Sequence, residues 1–135
     1  MKFSPSLDCL ESRALQAVVS LSGGVLSCYS DPDPNGGLTS TDVFYNPNDV
    51  TELVVISGSD TYFFNVSNVS SIRFFSSTDG GDFFINSTDI SSIGYLQGAD
   101  NVFVGGSAND EVWDWGLNSF VDDNGGGLDY HDMTP

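Results

Sequence analysis

Short apolar triplets punctuate the chain at near-regular intervals: Val25-Leu26-Ser27, Val43-Phe44-Tyr45, Tyr62-Phe63-Phe64, Phe83-Phe84-Ile85 and Val102-Phe103-Val104, with Phe120-Val121-Asp122 continuing the series. Their starts lie 18, 19, 21, 19 and 18 residues apart. A second apolar position follows ten residues after a start, at Leu53, Ile72, Ile93, Val112 and Tyr130. Length variation is thus confined to one connection per unit. Runs this short, bounded by Gly, Asn, Asp and Ser, predict strands rather than helices. Between them, NPNDVTELVV, NVSNVSSIRF and NSTDISSIGY are versions of one pattern.

A period near twenty residues predicts an all-β chain wound as a short parallel β-solenoid of about five coils of 18–21 residues, spanning 21–130. Equivalent residues would then stack at about 4.8 Å. Phe44, Phe63, Phe84 and Phe103 would form an internal aromatic ladder, and Asn46, Asn65 and Asn86 an amide ladder at a turn. Strands at this spacing also suit a β-sandwich, which is the alternative architecture. Tyr62-Phe63-Phe64 and Phe83-Phe84-Ile85 are apolar at every position, unlike a strand with one wet face. Tyr62, Phe64, Phe83 and Ile85 are therefore expected to form an outward stripe that needs a cover. Leu7, Leu10, Ala14, Leu15 and Val18 recur at helical steps, so residues 1–20 are expected to form a capping helix, and 131–135 a tail.

The chain has 135 residues, one domain's worth. Its 19 acidic residues against three Lys and Arg give a net charge of −16, which disfavours nucleic acid and anionic membrane surfaces as partners. Aromatic residues at 13% argue against disorder. No apolar run is long enough for a membrane span, and no apolar core of an ordinary signal peptide follows Lys2. Cys9 and Cys28, one coil length apart, fit either one disulfide or two thiols. Three triplets beginning at Asn65, Asn68 and Asn86 match the glycosylation acceptor pattern.

Sixteen of the acids are Asp, a turn former and a compact ligand for hard cations. In DPDPNGGLTSTD, Asp31, Asp33 and Asn35 precede Gly36, and Asp42 takes the twelfth place. This spacing turns alternate oxygens inward and closes the shell with a carboxylate. The loop resembles EF-hand and dockerin-type calcium loops, with Asp42 where an EF-hand has Glu. GGSANDEVW, from Gly105, resembles one nonapeptide of the repeats-in-toxin type, with Asp110 in the acidic place. DGGD (79–82) and DDNGGGLD (122–129, starting at Asp122) are looser versions. These resemblances imply bound calcium, with Asp31, Asp33, Asn35, Asp42, Asp110 and Asp122 as ligands.

Residues 10–17, LESRALQA, resemble the LEPR-XLL motif of large planctomycete surface proteins. Leu10, Glu11, Arg13 and Leu15 match, while Ser12 and Gln16 depart from it. The resemblance implies export to the cell surface and no activity.

No nucleophile motif, Walker loop or zinc-protease signature occurs, and His131 is the only histidine. His131, flanked by Asp129 and Asp132, reads as part of a solvated tail. Two Arg and one Lys are too few to hold an acidic polysaccharide for cleavage. The expectation is a non-enzymatic, calcium-stabilised extracellular structural or adhesive protein that self-assembles into fibres or a surface layer. The alternative is a calcium-dependent carbohydrate-binding module, with Trp113 and Trp115 as the platform for a polysaccharide.

Overall fold

Three connections of two residues each decide the course of the N-terminal half. Gly23 and Gly24, both at positive φ, join β1 (Val19–Ser22) to β2 (Val25–Tyr29). Pro47-Asn48 joins β3 (Ser40–Asn46) to β4 (Asp49–Ser57), and Gly58-Ser59 joins β4 to β5 (Asp60–Asn65). Such turns match the twist of an antiparallel pair, and Gly supplies φ angles that other residues resist. All three pairs are antiparallel. The computed structural model describes residues 19–30 and 40–134.

From Ser71 onward the connections are longer and the strands alternate between two sheets. β6 (Ser71–Phe75), β8 (Ser92–Leu96), β10 (Asp110–Asp114) and β12 (Leu128–Asp132) pair in parallel in one sheet. β7 (Phe83–Asn86), β9 (Val102–Val104) and β11 (Phe120–Asp122) pair in parallel in the other. The first sheet runs β1-β2-β6-β8-β10-β12, and the second β11-β9-β7-β3-β4-β5. The chain is all-β, with no α-helix among the described residues and one 3₁₀ turn at Val66–Asn68. Two facing mixed sheets form a sandwich-like arrangement, not the uniform five-coil parallel solenoid expected over 21–130. The expected helix over residues 7–18 lies outside the described residues, and Val19 and Ser20 already belong to β1. His131 and Asp132, expected in a tail, complete the edge strand β12.

The core lies between the sheets. Phe74 from the first sheet stacks on Phe84 from the second at 4.9 Å, and Phe84 stacks on Phe103 at 5.1 Å. Gly94, paired with Phe74, has no side chain because Phe103 fills that space: a Cβ there would sit 2.6 Å from the ring. The internal ladder is therefore correct at Phe84 and Phe103 and wrong at Phe44 and Phe63. β3 pairs with β7 as Ser40↔Phe83, three residues from the expected register, and Phe63 is 58% exposed on the antiparallel arm.

The asparagine ladder does not form either. Asn86 is fully buried, whereas Asn65 is exposed and Asn46 donates to Glu52. What these residues share is local. Asn86 Oδ1 accepts from the Thr88 amide and hydroxyl at 3.0 and 2.6 Å, and Asn65 Oδ1 accepts from those of Ser67 at 2.9 and 2.8 Å. Asp49 and Asp132 repeat the motif with Thr51 and Thr134. The glycosylation-like triplets at Asn65 and Asn86 are thus Asx turns, in which the side chain stands in for backbone.

Candidate functional site

The parallel strands end together. β11 and β12, consecutive in the chain, are the edge strands of the two sheets at one end of the stack. An edge strand presents unpaired N–H and C=O groups to whatever comes next. Apolar side chains are exposed around this end among the acids Asp122, Asp123, Asp129 and Asp132: Leu117 is 63% exposed, Phe120 58%, Tyr130 44% and Met133 40%. In every earlier rung the equivalent of Tyr130 is covered, since its column is Cys28, Phe74, Gly94 and Val112, all buried. Tyr130 is held by its hydroxyl, which donates to Asp114 Oδ2 at 2.7 Å. Burial and the Asp114 carboxylate push its phenol up to about 12.

The outward stripe is split by the topology. Phe83 and Ile85 flank buried Phe84 on the outer side of the second sheet, and parallel pairing extends them to Val102, Val104 and Phe120. Tyr62 and Phe64 instead pack against the core, because the β4–β5 hairpin sets them opposite Val55 and Leu53. Phe63 takes the outward place.

The outer side of the first sheet carries a ladder that the apolar triplets do not reveal. Tyr29 stacks on Phe75 at 4.7 Å and Phe75 on Tyr95 at 4.9 Å, with planes within 9°. The next rungs in register are Trp113 and His131, stacked at 3.9 Å. Stacked rings present edges to solvent and cover one another's faces. Trp113 therefore offers little face to a sugar, while Trp115, after the end of β10, is 46% exposed.

The expected calcium ligands do not come together among the described residues. Asp31, Asp33 and Asn35 lie outside them. Asp42 sits in β3, half-buried between Ile56 and Ile85, with Oδ1 lacking a hydrogen-bond partner and burial pushing its carboxyl up. Asp122 Oδ1 accepts from the Asn124 amide at 2.9 Å. Asp110 is buried, and its Oδ1 accepts from Ser92 of the neighbouring rung. Burial raises its pKa against the pull of the Ser92 and Gly106 donors. In DGGD, buried Asp82 likewise accepts from the Ser77 amide and hydroxyl at 2.7 and 2.9 Å. Asp82, Asp110 and Asp122 act as turn and rung formers through these donors, while Asp42 Oδ1 and Asp110 Oδ2 are buried without a hydrogen-bond partner.

No protein-family model matches the chain, and no curated protein or solved structure does.

A different group does converge. Glu111, Asp129 and His131 have ligand atoms all within 4.8 Å of one another. Each lies on the outer side of β10 or β12, where Glu111 pairs with Asp129 and Trp113 with His131. The 18-residue offset of the last two units was the signal in the sequence, since 111 and 113 advance by it to 129 and 131.

Proposed function

We propose that the chain is a non-enzymatic structural or adhesive protein of the cell exterior that assembles with itself end to end. The observation that carries this reading is the end formed by β11 and β12, two neighbouring strand edges beside exposed Leu117, Phe120, Tyr130 and Met133. A further rung there would pair both edges and cover these side chains, which favours continuation over solvent. The far edges of the two sheets, β1 and β5, are the strands that a second copy would meet. Contact between unlike ends is heterologous and builds open filaments wherever the rotation between copies does not close a ring. The apolar outer stripe through Phe83, Ile85 and Val102 gives such filaments a side on which to associate.

The parallel register of 18–20 residues over 71–132 is read as a short solenoid appended to an antiparallel N-terminal arm. Growth by stacking must overcome the repulsion of a chain carrying −16. Calcium, the expected counterion, would supply that screening. The resemblance at residues 10–17 to planctomycete surface proteins agrees with an exported role. The carbohydrate-binding alternative now rests on Trp115, since His131 covers a face of Trp113.

Sedimentation velocity with calcium and then with a chelator tests the reading. Large species that dissolve in chelator are expected, and Phe120→Asp should abolish them. A compact monomer at high concentration in both conditions would overturn it.

A further inference from the structure

The three side chains at the last outer rungs carry an unusual load. Glu111 and Asp129 are direct partners across a parallel pair, where strands run about 4.8 Å apart and like charges repel. Among the described residues the one Arg or Lys is Arg73, two rungs away from Glu111 with Ile93 between. The group that faces both carboxylates is the His131 ring: its Nε2 lies 3.1 Å from Glu111 Oε2 and 3.3 Å from Asp129 Oδ2. One nitrogen carries at most one hydrogen, so it cannot make two full hydrogen bonds. The ring is also held in place, stacked on Trp113 at 3.9 Å with planes 15° apart.

We propose that Glu111, Asp129 and His131 form a site for a divalent transition ion of the zinc class. An ion with bonds of about 2.0–2.2 Å in tetrahedral or octahedral geometry holds neighbouring donor atoms about 2.8–3.5 Å apart. The two nitrogen–oxygen separations fall in that interval. The third separation, between the two carboxylates, is within 4.8 Å, and the Asp129 side chain is 71% exposed. One imidazole and two carboxylates leave a net charge of zero around a divalent ion and a fourth position for water. A nitrogen donor in a set of three argues against calcium here, which takes six to eight oxygens. Trp113 is a positioning residue, fixing the ring so that Nε2 points at both carboxylates. The site is independent of end-to-end assembly, although β12 belongs to both.

Because His131 is the only histidine in the chain, its imidazole signals report the site without ambiguity. Zinc alone should be titrated into the full chain while the His131 ring is followed by NMR and the heat of binding by calorimetry. One saturable equivalent should shift the ring signals, and calcium at the same concentration should not. His131→Gln and Glu111→Gln should each weaken binding at least about tenfold, since loss of even a supporting group costs that much. Zinc affinity unchanged in either variant, or ring signals that stay put at ten equivalents, would overturn the site. Should His131→Gln fail to fold, Glu111→Gln decides alone.

Discussion

Ser92 donates both its amide and its hydroxyl to a single oxygen of Asp110, at 2.8 and 2.7 Å, across adjacent rungs of the first sheet. The bond is buried at both ends. It ties two successive parallel strands together from the inside, at the level where Leu26 and Ile72 fill the same column lower in the stack. Asp110→Ala would leave both Ser92 donors buried and unanswered, at a cost of about 2–3 kcal/mol. Urea unfolding should show this loss, and an unchanged midpoint would mean that water replaces the carboxylate without penalty.

Acidification should stabilise the fold before it destabilises it. Burial raises the carboxyls of Asp42, Asp82 and Asp110 above the ordinary 3.8. A group raised in the folded state binds its proton more readily there than in the unfolded chain. Its contribution is therefore complete below 3.8 and lost as pH rises through the raised value. Asp49 and Asp132, lowered by bonds from Thr51 and Thr134, contribute above 3.8 and lose their effect as pH falls through their lowered values. Melting temperature should climb from pH 7 down toward the region just above 3.8, then turn over. Asp110→Asn, which keeps an acceptor for Ser92, should flatten the climb. Stability that rises steadily with pH across this range would contradict the assignment.

Gly94 should tolerate no side chain. A Cβ at this position would approach two carbons of the Phe103 ring to 2.6 Å in a core with no slack. Gly94→Ala is expected to destabilise by about 1–3 kcal/mol, despite its lower backbone entropy when unfolded. Gly94→Ala combined with Phe103→Leu should recover part of the loss. A neutral single variant would show that the ring is free to move.

Cys28 should be chemically silent in the native protein. It is fully buried in the core cluster, and burial pushes its thiol up to about 12. In a Cys9→Ser background, a thiol reagent should label Cys28 only as fast as the protein unfolds. Rapid stoichiometric labelling under native conditions would place Cys28 at the surface.

The second sheet was legible where its strands repeat in parallel. Phe83, Val102 and Phe120, aligned by period alone, are register partners in the structure. The period failed at Val43 and Tyr62 because two-residue turns at Pro47-Asn48 and Gly58-Ser59 fold that segment back on itself. Those turns were visible as short polar spacers, yet the repeated wording around them masked their meaning. In the first sheet the alignment slipped by one. The ten-residue offset aligns Ile93 with Ile72 and Val112, whereas Arg73 and Glu111 are its partners, and a shift of one residue moves a side chain to the other face. The cause is specific: Phe103 needs the space at Gly94, and Asp110 needs Ser92 beside it. The Glu111, Asp129 and His131 group was hidden for a related reason. Its members are near neighbours only once β12 is recognised as a strand rather than a tail.

The last two rungs advance by 18 residues in both sheets, Val102 to Phe120 in one and Val112 to Tyr130 in the other. One segment thus carries a complete rung of each sheet together with both corners that join them. Because that segment pairs only with the rung before it, its removal is expected to leave the earlier pairings of both sheets in place.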